Sequence, residues 1–488
     1  MKKFLFFCVA SILLLLSSCS KNDYANAIPK EAVAVMSLNC NNFVDKAGIK
    51  SSDLVKEIKN NESEMDKDFV DFILPLIEEP KEVGIDFRQK LYAYVHDNGM
   101  GVVLPVIDED KLTNVLKKLA EKDKGLKLET EGDYNYVALD NFLVVYNGTT
   151  LVGSNFYGDD KPFRQRLRNQ IEQDNEKSYA STEGFKRLEK SEEDFVVTMD
   201  LSNLPEAATK NVPVDVDLED YSVMMSLNCE KGKLAAKFNL YSEKEKVQKE
   251  LEEKMTKMIS KVSGTYLPNV PENALGFIAQ GIVGEDYLDT MMKQNPQLGI
   301  ALTMANQIMP IMDILKGING DMSGFVTMAN VEEAPQFLVM AQMPKGSEVF
   351  SDPSRWDTQE LGASFNPANN EVTMEGIVMG TTGKELYVTN SEELKAKATT
   401  KSGNSKLNEL AKEIKGTYGY LWVDLPKAVK LLPANDNEMN MMIARLITGL
   451  TKDLVMKLTS PLEFKVELRV NSEDNFLKFF IDTCKTFI

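Results

Sequence analysis

Apolar and polar residues follow one another in blocks along the chain, and one such block occurs twice. Residues 28–36 are Ile, Pro, Lys, Glu, Ala, Val, Ala, Val and Met, and residues 270–278 are Val, Pro, Glu, Asn, Ala, Leu, Gly, Phe and Ile. In both stretches a proline fixes a turn, two polar residues follow, and an alanine leads into an apolar run that predicts a buried strand. The recurrence predicts a duplication in which this strand opens each half.

The first half predicts strands grouped by short turns. Runs at 91–95 and 102–106 predict a hairpin that turns at Asp97, Asn98 and Gly99, because these residues tolerate left-handed backbone angles. Further runs predict a meander over 126–154, a strand over 195–201 and a long hairpin over 221–241.

Helical periodicity separates these groups of strands. Residues 53–76 predict two amphipathic helices, and Leu112 to Leu119 line one face of another. The half closes with a helix that carries Val247 to Val262 inward, for which Ser242 and Glu245 have the spacing of a capping box.

The second half repeats this order. The sequence predicts the following equivalences: 84–86 with 317–319, the strands 91–95 and 102–106 with 325–328 and 336–343, 148–150 with 380–382, Asp200 with Asp424, and the hairpin 221–241 with 462–481. A helical insert over 438–457 has no predicted partner in the first half.

These patterns predict an α+β protein with two tandem duplicated repeats, each with a largely antiparallel sheet and packed helices. The predicted organisation is a signal peptide over 1–18, a lipidated tether over 19–27, repeat domains over 28–263 and 270–488, and a linker over 264–269.

The amino terminus predicts lipid attachment. Lys2 and Lys3 precede an apolar run from Phe4 to Leu16 that is too short to span a bilayer, which is the arrangement of a secretory signal. The run ends in Leu16, Ser17, Ser18 and Cys19, which resembles a bacterial lipobox with Cys19 as the acylated residue. Several acyl chains would hold the mature protein stably on a membrane.

The chain is acidic, with a formal charge of −18 over 488 residues, and loss of Lys2 and Lys3 with the signal brings it to −20. Such a charge repels nucleic acid, so no nucleic-acid partner is expected. Cys40, Cys229 and Cys484 remain after the signal and Cys19, and their spacing matches neither a zinc site nor a CxxC pair, so buried thiols are expected.

The sequence contains little that indicates a catalytic or metal-binding site. The chain has one histidine, His96, beside a predicted turn, and Asp215, Asp217, Glu219 and Asp220 lack the glycine and glutamate of a calcium loop. No cofactor is predicted. Only Trp356 and Trp422 could stack on a glycan.

Methionine is abundant, with 24 residues, and its clusters are candidate contact surfaces because flexible thioethers adapt to varied partners. We expect a binding surface to use Met291, Met292, Met309 and Met312. The alternatives are that these side chains fill a core, or that thioethers, including those of Met439, Met441 and Met442, hold copper(I).

Cys19, Ser20, Lys21, Asn22, Asp23 and Tyr24, followed by Ile28, Pro29, Lys30 and the alanine-led strand, resemble the start of an uncharacterised family of Bacteroidetes envelope lipoproteins, a domain of unknown function. The resemblance implies an envelope location and brings no site residues.

Two functions compete. The lack of nucleophile motifs favours a non-enzymatic protein that is attached to the membrane through Cys19 and binds or scaffolds a protein or peptide partner. The alternative is an envelope hydrolase that acts on glycan or peptide through carboxylates. The separation of two such carboxylates is set in space, so the sequence does not show whether they form a catalytic pair. Asp23 is the one acidic residue close behind Cys19, which favours the periplasmic face of the outer membrane over the cell surface.

Overall fold

A computed structural model describes residues 23–48, 50–60, 70, 74–75, 77–96, 99–122, 125–158, 160–203, 220–328, 333–357, 359–360, 362–400, 404–431 and 448–485. These residues form two compact units. The first unit contains the described residues up to 203, with 220–231 and 473–485, and the second contains those within 232–472. Residues on both sides of the predicted linker 264–269 therefore lie in the second unit.

The first unit is built on one antiparallel sheet. Its strands are β1 Ala34–Leu38, β2 Leu91–His96, β3 Gly99–Pro105, β4 Lys127–Glu131, β5 Tyr134–Leu139, β6 Phe142–Tyr146, β7 Thr150–Asn155, β8 Phe195–Asp200 and β9 Ser222–Glu230. Paired in space, they run in the order β4-β5-β6-β7-β3-β2-β1-β8-β9. The predicted hairpin of β2 and β3 and the predicted meander are both present.

The second unit is also antiparallel. Its strands are β10 Lys233–Tyr241, β11 Ile259–Ser260, β12 Gly276–Val283, β13 Asn319–Thr327, β14 Gln336–Gln342, β15 Ser364–Asn366, β16 Glu371–Met374, β17 Ile377–Thr382, β18 Glu385–Thr389, β19 Gly419–Val423, β20 Thr451–Ser460 and β21 Glu463–Val470. They run in the order β15-β16-β17-β18-β14-β13-β12-β19-β20-β21-β10, and the short β11 pairs with the end of β12.

Helices connect the strands and cover the sheets. They are α1 Cys40–Ala47, α2 Ser51–Asn60, α3 Glu109–Lys122, α4 Lys161–Glu172, α5 Glu183–Lys190, α6 Glu245–Met258, α7 Gly284–Gln294, α8 Pro296–Ala305, α9 Ile311–Gly317, α10 Glu392–Thr399, α11 Ser405–Ile414, α12 Leu425–Lys430 and α13 Phe476–Lys485. The last of these belongs to the first unit, where it contacts α1 and β9. The protein is thus α+β, as the sequence predicts.

Each unit has its own core. Tyr92, Tyr94 and Leu143 are buried in the first unit, and Trp422 and Leu338 are buried in the second. Residues Asp23–Ala27, which lie in the predicted tether, form a short 3-10 helix with Tyr24 and Ala25 inside the first core. Folded structure therefore begins at least five residues before Ile28.

Of two predictions near the carboxyl terminus, the helical insert is wrong over 451–457 and the closing hairpin is wrong in its position. The predicted helical insert over 438–457 includes the first part of β20, while residues 438–447 lie outside the described residues and 448–450 are helical. The predicted hairpin over 462–481 is also displaced, because β21 pairs with β20 and Phe476–Lys485 is a helix. Leu454 and Met456 give β20 an apolar content that also fits a helix. These residues form a strand because they pair with β19 and β21.

The predicted capping box is wrong as well. The residue that caps α6 is Lys244, with no side-chain bond to the helix. The Ser242 hydroxyl accepts from Lys244 N, and the Ser242 amide donates to Gln248 Oε1 at 2.8 Å, so Gln248 takes the role expected of Glu245. Within the part of the chain that the structure describes, we find no helix long and apolar enough to cross a membrane.

Candidate binding surface

The second unit carries an apolar surface on one side of its sheet. Strand register places side chains from β10, β21, β20, β19, β12 and β13 on this side, and we call their set the apolar sheet face: Leu234, Ala236, Phe238, Ile278, Val326, Leu421, Val423, Leu454, Met456, Leu458, Phe464, Val466 and Leu468. Every member is partly or fully exposed, with Ile278 at 47%. None of these thirteen residues belongs to the buried clusters found among the described residues.

The opposite side of β10, β20 and β21 carries a charged cluster, and it is the more buried side. On β12, β13 and β19 that side instead holds the apolar core residues Phe277, Phe325 and Trp422. Glu467 on β21 is 1% exposed. Its two carboxylate oxygens contact four cationic side chains: Lys233 Nζ at 3.0 Å, Lys465 Nζ at 3.0 Å, Lys457 Nζ at 3.3 Å and Arg469 Nη2 at 2.7 Å. The cations come from β10, β20 and β21, so the cluster joins three strands.

Further carboxylates complete this cluster. Glu413 on α11 accepts from Arg469 Nη2 at 2.6 Å and from Lys457. Asp453 on β20 accepts from the Trp422 indole at 3.2 Å, which ties the charges to the apolar core. The helix α11 therefore covers the charged side of the sheet.

The electrostatics of Glu467 follow from this environment. Burial acts to raise the pKa of its carboxyl, since an apolar surrounding disfavours the charged form, but hydrogen bonds from Arg469 and Lys465 outweigh it. The pKa of Glu467 therefore lies well below its ordinary value. Glu467 is therefore charged at neutral pH and belongs to a structural network of ion pairs.

The predicted methionine surface lies elsewhere in the second unit, on helices α7 and α9 and, for Met309, in the turn between α8 and α9. Met291, Met292, Met309 and Met312 are all partly exposed. Met309 packs against a buried cluster, whereas Met292 lies against Gly299 of α8. These positions do not test whether the four methionines bind a partner, so the methionine surface stays a prediction.

The most exposed large apolar side chains of this helical layer were not predicted. Helix α8 is apolar along most of its length, and Ile300 and Met304 on it are 63% and 64% exposed. Their i, i+4 spacing puts them on one face. The apolar sheet face was not predicted either, since Leu454, Met456 and Leu458 at every second position indicate one side of a strand without indicating which side is solvated.

Several other predicted positions are either outside the described residues or buried or half-buried. Cys19, Met439, Met441, Met442, Asp215, Asp217 and Glu219 lie outside the described residues. Cys40 and Cys229 are buried thiols, and Cys484 is half-buried. Trp356 and Trp422 are buried, so neither presents a stacking surface.

The residues that could have served metal or acid–base chemistry are dispersed. His96 ends β2 opposite Gly99 and lies 5.9 Å from the Tyr94 ring. Among the described residues no group of His, Cys, Asp and Glu could hold a metal ion. Burial raises the pKa of Glu385, which accepts from the Tyr266 hydroxyl, but it is a single acid rather than the pair that glycoside hydrolysis uses.

Comparisons with known proteins give a family and no activity. A family model described as "Domain of unknown function (DUF4836)" matches residues 24–477. No curated protein matches the sequence. Among solved structures, crystal forms IV and I of TP0453 each have a TM-score of 0.26 at 9% identity and cover 44% of this chain, with 79% and 77% of their own chains covered. Crystal form III has a TM-score of 0.20 at 9% identity, covering 76% of this chain and 93% of its own.

Proposed function

Because the family model covers residues 24–477, the chain belongs to the DUF4836 family, and we propose that this member is a lipid-anchored envelope protein. In this proposal the protein binds an apolar segment of a protein or peptide on the apolar sheet face. Cys19 carries the anchor in this proposal. The family itself has no known activity.

The observation that carries the proposal is the reversed polarity of strands β10, β20 and β21 in the second sheet. An antiparallel sheet with one solvated face normally turns its polar residues to water. Here Glu467 is buried while its neighbours Val466 and Leu468 stay partly exposed. Large exposed apolar patches are typical of interaction sites, because leaving them in water costs free energy that a partner recovers.

The dimensions of the face favour a helical segment as occupant. The six strands from β10 to β13 span about 24 Å at the usual strand spacing. A helix of about 16 residues has that length, and an amphipathic one would present an apolar stripe to the sheet. The chain carries a charge of −18, so a partner segment with basic residues on its outer face would be steered towards it.

A site-specific cross-linker tests this function. A photoreactive residue in place of Met456 should capture a partner through an amphipathic segment that fragment mass spectrometry identifies. The same residue in place of Lys246, which is exposed on α6, is the control. Equal capture from both positions, or cross-links to Met456 that map only to polar segments, would contradict the proposal.

Lipid attachment has a separate test. Palmitate labelling should mark the wild-type protein and leave Cys19→Ala unlabelled, and equal labelling of the two would end this part of the proposal. We further propose that the anchored protein faces the periplasm, supported by the near absence of acidic residues behind Cys19.

We also propose that the two units arose by duplication. The orders β4-β5-β6-β7-β3-β2-β1-β8-β9 and β15-β16-β17-β18-β14-β13-β12-β19-β20 correspond strand by strand. Asp200 follows Met199, the partner of Ala34, and Asp424 follows Val423, the partner of Gly276. An experimental structure in which β1 to β9 fail to superpose on β12 to β20 would contradict this origin.

A further inference from the structure

A second site lies in the first unit, beside the amino terminus. A cleft of about 460 Å³ opens between the 3-10 helix Asp23–Ala27 and helix α5. Its lining includes two acidic side chains, two basic side chains and two amides: Asp23, Glu189, Lys186, Lys190, Asn26 and Asn175.

The walls of this cleft are held from below by an aromatic layer. Phe185 lines the cleft and lies 5.4 Å from the Tyr92 ring, which lies 5.7 Å from the Tyr24 ring. The Tyr92 hydroxyl donates to Glu189, and this fixes one carboxylate at the cleft wall. The Asn175 amide donates to Asn26 Oδ1 at 2.9 Å, so the opposite wall is also braced.

The charges that reach the cleft are of both signs. Lys186 pairs with Glu183 on its own helix, whereas Lys190 is exposed and forms no ion pair with any residue that the structure describes. Asp23 is likewise exposed at the start of the 3-10 helix. A ligand with one negative and one positive group would pair with both Lys190 and Asp23, whereas a purely anionic ligand would also lie beside the carboxylates of Asp23 and Glu189 in an already acidic chain.

The position of the cleft identifies where such a ligand would come from. Asp23 follows Cys19 by four residues, which span about 14 Å at most when extended. With Cys19 acylated, as the proposed function requires, the cleft lies within headgroup distance of the membrane. We propose that it binds the phosphoethanolamine headgroup of a zwitterionic phospholipid, with the phosphate at Lys186 and Lys190 and the ammonium at Asp23 and Glu189.

The test uses the full mature chain with Cys19→Ala, so that lipid attachment does not affect the result. Calorimetry with free phosphoethanolamine should show saturable binding, and sedimentation with vesicles should increase when phosphatidylethanolamine is added to phosphatidylcholine. Lys190→Gln and Asp23→Asn should each weaken binding roughly three- to fivefold, the effect of one exposed ion pair. Lys246→Gln, on the exposed surface of α6, should leave it unchanged.

The separate measurements distinguish the headgroup assignment, the membrane source and the lipid anchor. Equal affinity for inorganic phosphate, or loss of binding in Lys190→Gln but not in Asp23→Asn, would overturn the zwitterionic assignment. Binding of free phosphoethanolamine without any vesicle response would overturn the membrane source. Failed palmitate labelling of the wild type would overturn the anchor alone, because headgroup binding is measured on the unlipidated chain.

Discussion

Glu467 and Val466 are adjacent on β21 and face opposite sides of the sheet, and the carboxylate is the more buried of the two. Burying a charge is costly unless it is paired and hydrogen-bonded. Four cationic side chains around Glu467 meet that condition. The charged cluster therefore lies on the side that α11 covers, and the apolar side stays partly exposed among the described residues.

Glu467→Gln should destabilise the protein strongly. The amide cannot balance Lys233, Lys457, Lys465 and Arg469, and breaking a buried ion pair in this way costs about 3–5 kcal/mol. Urea denaturation with a probe of the second unit measures the loss. Glu473→Gln is the matched control, because Glu473 is exposed and pairs only with exposed Lys231 among the described contacts. A loss no larger than that of the control would contradict the structural role.

The free energy of unfolding should also depend on pH in a way that reports the buried charge of Glu467. The pKa of Glu467 is lowered on folding, so its contribution is complete above the ordinary glutamate pKa of about 4.3 and is lost only as pH falls through the lower folded value. Wild type and Glu467→Gln should therefore differ by a constant amount from neutral pH to about pH 5. Their stabilities should converge in stronger acid, which denaturation curves at a series of pH values would reveal.

The sequence predicts the local elements of this fold well. The β2–β3 hairpin and the meander of β4 to β7 are encoded in short stretches, where alternation and turn residues act between neighbours. The strand β20 was mistaken because its partners lie far away, and its apolar content alone fits a helix.

The candidate surface was beyond sequence reasoning for a related reason. Alternation in β20 and β21 predicts that Lys457, Glu467 and Arg469 face water, and the structure buries them instead. The cause is partners from distant positions, such as Lys233 on β10 and Glu413 on α11. No local pattern reports such pairings, so which side of a strand is solvated cannot be read from alternation alone.

Glu385→Gln should stabilise the protein at neutral pH. Burial raises the pKa of Glu385, so folding favours the protonated form, and stability falls as pH rises from the ordinary glutamate pKa through the folded one. Glutamine removes the buried charge and can still accept from the Tyr266 hydroxyl. Thermal unfolding at pH 7.5 should give a higher Tm for the variant, and the difference should shrink towards pH 4. An unchanged Tm at neutral pH would indicate that Glu385 is well solvated.

The three thiols should differ in reactivity. Burial raises the pKa of Cys40 to about 12 and that of Cys229 to about 11, the latter helped by Asp194, so little thiolate exists at pH 8. Cys484 is only half-buried. Iodoacetamide added to native Cys19→Ala protein should modify Cys484 first, as peptide mass spectrometry would report. Early modification of Cys40 would mean that its surroundings open readily, and urea-unfolded protein supplies the fully reactive reference.

Partner binding should distinguish the apolar sheet face from the helical surface. Met456→Gln with Val466→Thr keeps side-chain volumes and adds polarity where the sheet face should contact a partner. Ile300→Thr with Met304→Gln makes a comparable change on α8, where both residues are exposed. The first pair should weaken binding of the cross-linked partner segment roughly tenfold or more, as expected for central apolar contacts. The second pair should leave the affinity for the segment unchanged.

Because all four residues are at least partly exposed, both variants should keep a near-native Tm. Titration of a fluorescent synthetic peptide would compare the affinities of the two variants directly. The opposite ranking would move the binding surface to the helices that carry Met291, Met292 and Met312.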